Sequence, residues 1–455
     1  MRSGEKCLVI GSGISGIGSV GLLEHMGAEV TLYDSDSRLD EGALRAKLPA
    51  GSGARCVAGD LPEEIVKATE TAVLSPGVPT DIPLVNRLRE CGAKIIGEIE
   101  LGFQEERGRV AAITGTNGKT TTTTLVGEIM RAQLGEEKVL VVGNIGNPYT
   151  SECLKTAADT VTVGEISSFQ LETVRDFRPR VSAILNITPD HLNRHHTMEA
   201  YVAAKENIAM NQSGGDICVL NYDNAYTRDF GGRCPAKPVF FSSGEELENG
   251  YFLKGNKIVK AQNGQTRELM DIYRDMNLVG MCNVENVMAA IAIAEGMGVP
   301  METILKTVRG FQAVEHRIEF VANKGGVDYY NDSKGTNPDA AIQGIRAMNR
   351  PTVLIGGGYD KGSEFDEWVE SFGGKVKYLV LIGQTREKIA ECARKHGFDG
   401  SRIYFADTYE ECLRRCSELA GSGDAVLLSP ACASWGMFPN YEVRGKQFKD
   451  YVHRL

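Results

Sequence analysis

The chain has 455 residues, 42% of them apolar and 24% charged, with a formal net charge of -10 at pH 7. That length exceeds one hydrophobic core and predicts two to four domains, and the composition excludes wholesale disorder. The acidic balance argues against a nucleic-acid partner, which needs clustered Lys and Arg. No run of 18 apolar residues suggests a membrane span, and "MRSGEKCLVI" leads into a strand pattern rather than a signal peptide, so a cytoplasmic setting is expected.

The first strand, "CLVI", runs into GSGISG, Gly11 to Gly16, which opens a helix; the next strand, "EVTLYD", ends at Asp34, 18 residues after Gly16. In that context backbone N–H groups and a helix N-terminus hold a diphosphate, and an acid meets the group beyond it. The motif specifies a nucleotide diphosphate but no nicotinamide, so an NAD(P) oxidoreductase remains one reading. "TAVLSP" is a third strand, and the charged "QEERGR" (104–109) marks a boundary.

A second glycine loop follows the strand "VAAIT": Gly115-Thr116-Asn117-Gly118-Lys119-Thr120, then Thr121, opening another helix. It is a shortened phosphate loop with two residues between its glycines, where four are usual. Its amides and helix dipole can cradle β- and γ-phosphates, Lys119 adds charge, and Thr120 can ligate Mg²⁺. Farther on, Glu165 closes the strand "TVTVGEI", His191 follows "VSAILNITPD", and Lys205 lies on the Tyr201 and Ile208 face of a helix with Thr197 as its N-cap. Polar residues at strand ends after a phosphate loop suit a metal site. The strands "KVLVVGN" and "DICVLN" complete this region, and a second boundary falls in "VRGFQAVEHR" (308–317).

The last region carries "PTVLIGGG", "KYLVLIG", "RIYFAD" and "DAVLLSP". Near-continuous apolar strands alternating with amphipathic helices predict parallel sheets covered on both faces. The resulting α/β domains span 1–107, 108–312 and 313–455. The 11 cysteines have no CxxC pair and read as reduced thiols; Cys412 and Cys416, one helical turn apart, read as packing rather than metal ligands.

"GTNGKTT", "GEISSFQLE", "NITPDHLNRH", "AYVAAKENI" and "HRIE" together resemble the Mur ligase family, ATP-dependent amide-forming enzymes of peptidoglycan precursor synthesis. "YNDSKGTNPDAA" and "LSPACASWGMFPNYEVRGKQF" are similar to the branch that adds D-glutamate to UDP-N-acetylmuramoyl-L-alanine, and the resemblance covers essentially the whole chain. It implies a Rossmann-like N-terminal domain holding a UDP-sugar rather than NAD, a central P-loop ATPase-like domain, and a Rossmann-like C-terminal domain that binds D-glutamate and closes over ATP.

Carried over by position, the resemblance implies that Ile14 and Ser15 meet the diphosphate, Asp34 and Ser35 the uracil, and Gly77 the sugar. Gly115 to Thr121 form the ATP loop. Thr120, Glu165, His191 and Lys205, the last carbamylated, serve two Mg²⁺ ions, while Asn144 touches metal-bound phosphate and UDP-sugar. Asn286, Arg317, Asp332 and Lys334 complete the ATP site. Lys361 and Thr336 meet the side-chain carboxylate of D-glutamate; Ser434 and the backbone at Tyr441 meet its α-carboxylate. Asn193 stands where Asp is common, and Tyr441 where Phe is common. The implied reaction runs through an acyl phosphate, with Lys119, Glu165, His191 and Lys205 as the catalytic set in a monomer.

Overall fold

The run Cys7–Ile10 is buried along its whole length, as a parallel strand covered on both faces must be. It belongs to β1 (Lys6–Ile10), the middle of a five-stranded parallel sheet completed by β2 (Glu29–Asp34), β3 (Arg55–Ala58), β4 (Thr71–Leu74) and β5 (Lys94–Gly97). The order is β3-β2-β1-β4-β5, so the direction of winding switches between β1 and β4 and opens a crevice at their C-terminal ends. This computed structural model describes residues 3–455.

A second sheet of nine strands contains β6 (Arg109–Thr114), β7 (Val139–Gly143), β8 (Val161–Glu165), β9 (Val181–Ile184), β10 (Ile217–Asn221) and β11 (Lys237–Ser242). It also contains β12 (Gly250–Lys254), β13 (Lys257–Gln262) and β14 (Gln265–Asp271). The order is β14-β13-β12-β11-β10-β9-β6-β8-β7, which flanks β6 with β8 and β9. The third sheet has six strands: β15 (Glu319–Lys324), β16 (Val327–Asn331), β17 (Thr352–Gly356), β18 (Val376–Leu381), β19 (Ile403–Phe405) and β20 (Ala425–Leu428). They lie in the order β15-β16-β20-β17-β18-β19. The first two sheets share one compact unit, Met1–Asp271 with Asn286–Val308; the third lies in another, Ile272–Glu285 with Arg309–Leu455.

The expectation of parallel sheets meets two exceptions. β13 runs antiparallel to both β12 and β14, and β15 runs antiparallel to β16. The physical cause is in the turns. Gly255 (φ 59°) joins β12 to β13 through a two-residue loop, and Asn263 and Gly264 (φ 52° and 76°) join β13 to β14. Consecutive positive φ values match the right-handed twist of paired strands, and Asn-Gly is the sequence signature of that turn. No described helix is long and apolar enough to cross a membrane.

Two buried acids fasten the first sheet to the second. The helix Glu98–Phe103 follows β5 directly, and Glu100 on it is fully buried. Glu100 Oε2 accepts from the backbone N–H groups of Arg175, Asp176 and Phe177 at 2.8, 3.1 and 3.1 Å. Glu98 Oε1 accepts from the Thr150 N–H and hydroxyl at 2.7 and 3.0 Å, and burial raises its carboxyl above the ordinary value. Removing the Glu100 carboxylate strands several buried donors, each costing about 1–3 kcal/mol. Glu100→Ala is therefore expected to lower unfolding stability by about 3 kcal/mol or more, read as a fall in urea midpoint, with Glu100→Gln intermediate.

Candidate active site

The C-terminal ends of the adjacent strands β8, β6 and β9 bring the central residues together. β6 ends at Thr114 and the backbone turns through Gly115 (φ 154°) and Gly118 (φ 84°), conformations that L side chains rarely adopt. A Cβ at Gly118 would also strike the Asn286 amide. The helix Lys119–Leu134 starts there without a side-chain cap, leaving its N-terminus to an anion. Asn186, just beyond β9, fixes the loop: its Oδ1 accepts from the Asn117 N–H at 2.8 Å and its Nδ2 donates to the Asn117 carbonyl at 3.1 Å. Lys119 Nζ donates to the carbonyls of Gly115 and Thr116 at 2.7 and 2.9 Å, so its ammonium sits over the loop. Thr120 and Thr121 are buried in the first helical turn.

Glu165 is 1% exposed at the end of β8. Its Oε1 accepts from Asn144 Nδ2 at 2.7 Å, while its Oε2 is buried without a hydrogen-bond partner among the described residues. An orphaned buried carboxylate oxygen costs free energy unless a cation meets it, and so fits a metal ligand. Lys205, also 1% exposed, lies on the helix Met198–Glu206, whose Thr197 N-cap accepts from the Ala200 N–H at 3.2 Å. Its Nζ donates to the Gly115 carbonyl at 2.9 Å and stands 4.6 Å from the Tyr201 ring centroid. Burial, and then the Lys119 ammonium, push this amine well below the usual lysine range, with Asp190 opposing. His191 (φ 53°) is half-exposed beyond β9, its ring centroid 4.9 Å from that of Phe169 and its Nε2 3.4 Å from Asp190 Oδ2.

The crevice of the first sheet is a pocket of about 700 Å³, and Ile14, Ser15, Asp34, Ser35 and Gly77 all line it. Gly16 is required because a Cβ there would collide with the Gly11 carbonyl oxygen. Asp34 fastens the turn from the side: its Oδ2 accepts from the Ser12 N–H and hydroxyl at 3.0 and 2.6 Å. Partial burial raises the Asp34 carboxyl, but the bonds from Ser12 and Asp36 outweigh it and hold the group below its ordinary value.

The remaining candidates belong to the third sheet. Arg317 precedes β15; Asp332, Lys334 and Thr336 follow β16, Lys361 follows β17, and Ser434 and Tyr441 follow β20. Asp332 is buried, accepting from the Ser429 hydroxyl at 2.7 Å, and Arg317 Nε is buried without an acceptor among the described residues. Lys334 and Lys361 stand 5.6 and 5.3 Å from the rings of Tyr441 and Trp435. Arg444, which the sequence pattern did not single out, organises these loops. Itself 1% exposed, it donates to the Ser333 hydroxyl and carbonyl at 2.9 and 2.7 Å and to the Cys432 carbonyl at 3.2 Å. Asn186 was equally missed, although a polar residue ending an apolar strand is the signal that marked Glu165. Cys412 and Cys416 lie in the core behind the third sheet, as expected, and all 11 cysteines are free.

A phosphate loop with a buried acid at the neighbouring strand end and a buried helical lysine bonded to the loop defines a nucleotide-using α/β enzyme. Residues 5–97 match the description "Mur ligase MurD-like, N-terminal domain", 113–294 "Mur ligase middle domain", and 316–432 "Mur ligase, glutamate ligase domain". The chain is 54% identical to a UDP-N-acetylmuramoylalanine--D-glutamate ligase of Lachnospira eligens, over 99% of each chain. It is 45% identical to the enzyme so named in Clostridioides difficile, again over 99% of each. The chain belongs to the Mur ligase family. Its fold is similar to the solved UDP-N-acetylmuramate-alanine ligase of Thermotoga maritima, with a TM-score of 0.59 at 18% identity over 99% of each chain.

Burial pushes the Asp332 carboxyl up to about 7, against the opposing Ser429 hydroxyl and Arg317 guanidinium. The folded chain thus keeps a proton that the unfolded chain loses near pH 4. Stability from this group is fully present below pH 4 and declines as pH rises towards about 7. Asp332→Asn should remove that decline, which urea unfolding of the two proteins across the range would reveal.

Proposed function

We infer that this chain is an ATP-dependent ligase that joins D-glutamate to UDP-N-acetylmuramoyl-L-alanine in peptidoglycan precursor synthesis, releasing ADP and phosphate. The observation that carries the reading is near-complete coverage, at 54% identity, of a relative named for that activity. In this reading residues 1–107 hold the UDP-sugar in the crevice of the first sheet. Residues 108–312 hold ATP on the Gly115–Thr121 loop, and residues 313–455 hold D-glutamate, in a cytoplasmic monomer.

A carboxylate is a poor electrophile because its charge is delocalised and its oxygen leaves badly. Transfer of the ATP γ-phosphoryl group to the L-alanyl carboxylate makes that oxygen a phosphate leaving group. The D-glutamate amine then attacks the carbonyl carbon, and the tetrahedral intermediate collapses to an amide as the C–O bond breaks. The loop amides and Lys119 offset the charge gathered between two anions, the electrostatic contribution that usually dominates such catalysis. Asn286, Arg317, Asp332 and Lys334 complete the ATP contacts, while Asn144 orients the Glu165 carboxylate. Thr120, Glu165, His191 and Lys205 would hold Mg²⁺, which when bound adds Lewis-acid neutralisation of phosphate charge. Lys361 and Thr336 take one carboxylate of D-glutamate, and Ser434 with the Tyr441 backbone takes the other.

Lys205 serves as a carbamate. Its amine, driven towards the neutral form by burial and by the Lys119 ammonium, adds CO₂ to form an N–C bond and gives a proton to solvent. The product is an anion with oxygens suited to Mg²⁺, which removes a buried cation from beside Lys119.

The direct test is phosphate release from ATP and UDP-N-acetylmuramoyl-L-alanine, with and without D-glutamate. Turnover should require D-glutamate, and L-glutamate should be poorer by roughly 10²-fold or more, because two carboxylate clamps leave the inverted amine misplaced by about 1 Å. Equal rates with both enantiomers would overturn the assignment. Gly13 has ordinary φ and open space around its Cβ position, so Gly13→Asp should fold. Its carboxylate should weaken UDP-sugar binding by roughly tenfold or more, about 1.4 kcal/mol, with ATP binding kept. Lys205→Ala should lose most acyl-phosphate formation while still binding UDP-sugar, and added acetate or formate should restore part of the rate. A ¹³C carbamate signal after ¹³CO₂ labelling should be present in the parent protein and absent from the variant.

A further inference from the structure

Two helices of the third-sheet unit, Asp366–Glu370 and Arg386–Lys395, present to each other side chains that have no role assigned above. We propose that Asp366, Cys392 and His396 form a binding site for a thiophilic divalent cation of the zinc class. One carboxylate oxygen, the thiol sulfur and one imidazole nitrogen all lie within 4.8 Å of one another, each on a partly buried residue. A tetrahedral zinc with bonds of about 2.0–2.3 Å spaces its ligand atoms roughly 3.3–3.8 Å apart. Modest side-chain rotation therefore closes the triad around one ion, with water as the fourth ligand.

The local sequence suits this use. Cys392 and His396 are separated by one helical turn and share a face. His396 Nε2 lies 2.8 Å from Asp366 Oδ1, while its Nδ1 lies 3.4 Å from Glu370 Oε1. A proton on Nδ1 directed at Glu370 would fix the ring and turn the Nε2 lone pair towards the triad, the outer-shell arrangement that accompanies metal-binding histidines. The His396 and Lys395 contacts hold the Asp366 carboxyl down at about 2, so it is ionised. Burial and Asp366 keep the Cys392 sulfur protonated, and that proton passes to solvent as the metal–sulfur bond forms. Lys395 Nζ, now 2.9 Å from Asp366 Oδ1, has a side chain 72% exposed and can turn out to water.

The cation would tie together the helix that follows the Lys361 loop and the helix whose Lys388 Nζ donates to the Ser363 carbonyl of that loop at 2.8 Å. The test uses the full chain, stripped with a chelator and kept in excess Mg²⁺, titrated with Co²⁺ and then Zn²⁺. One tightly bound Co²⁺ should give a thiolate-to-cobalt charge-transfer band that Zn²⁺ abolishes, and Zn²⁺ should raise the Tm. Cys392→Ser should lose the band and the Tm shift while keeping ligase turnover. Glu370→Gln should keep the band but weaken Co²⁺ binding by roughly 10–100-fold. If Cys392→Ser does not fold, His396→Gln replaces it, with binding weakened by more than about 100-fold expected. Absence of the band in the parent protein, or unchanged titration in the folded ligand variant, overturns the proposal and leaves an ion pair only.

Discussion

A glycine turn with no room for a Cβ at Gly118 is the constraint around which the central site is arranged. Gly115 and Gly118 hold conformations that turn the chain sharply into a helix start, while Asn186 accepts from the Thr116 and Asn117 amides. The space a Cβ would take at Gly118 belongs to the Asn286 amide, and the loop's own carbonyls are capped by Lys119 and Lys205. Two lysine side chains thus meet the carbonyls of one short loop. Each lysine burdens the other, and this mutual repulsion adds to desolvation in depressing the Lys205 amine.

In the first sheet the candidate residues gather where a switch in strand order opens a crevice, and in the second Glu165 and the glycine loop likewise follow the ends of adjacent strands. The loops there are held rigid in different ways. In the first sheet Asp34 grips Ser12. In the second, Asn186 mimics a backbone partner for Asn117. In the third, the Arg444 guanidinium is buried among carbonyls, which keeps it bonded although burial lowers its affinity for a proton to a pKa of about 10. Anion, amide and cation thus perform the same mechanical service.

What the sequence discloses follows from how local the governing physics is. Strands such as Cys7–Ile10 and Val161–Glu165 are legible because burial on both faces demands uninterrupted apolar residues. Short or polar strands escaped: β3 and β5 have four residues each, and β14 is exposed along its first half, so none of the three writes a long hydrophobic run. The Asn263-Gly264 turn was readable, yet a parallel α/β expectation passed over it. Glycine loops announce themselves because backbone geometry restricts residue choice. Arg444 does not, since an arginine in an amphipathic helix looks like surface until its partners arrive from Ser333 and Cys432.

The Glu98 and Glu100 tethers accompany a hydrophobic core that continues without a break from Cys7, Leu32 and Ile99 to Val110, Tyr149 and Leu220. Such a core makes the first two sheets a single foldon, opening together in hydrogen exchange rather than as two independent modules. Cutting the chain at residue 107 would then leave two apolar faces in water instead of two folded halves. The crevice of the first sheet and the glycine loop of the second therefore rest on one continuous core, and loosening that core loosens both.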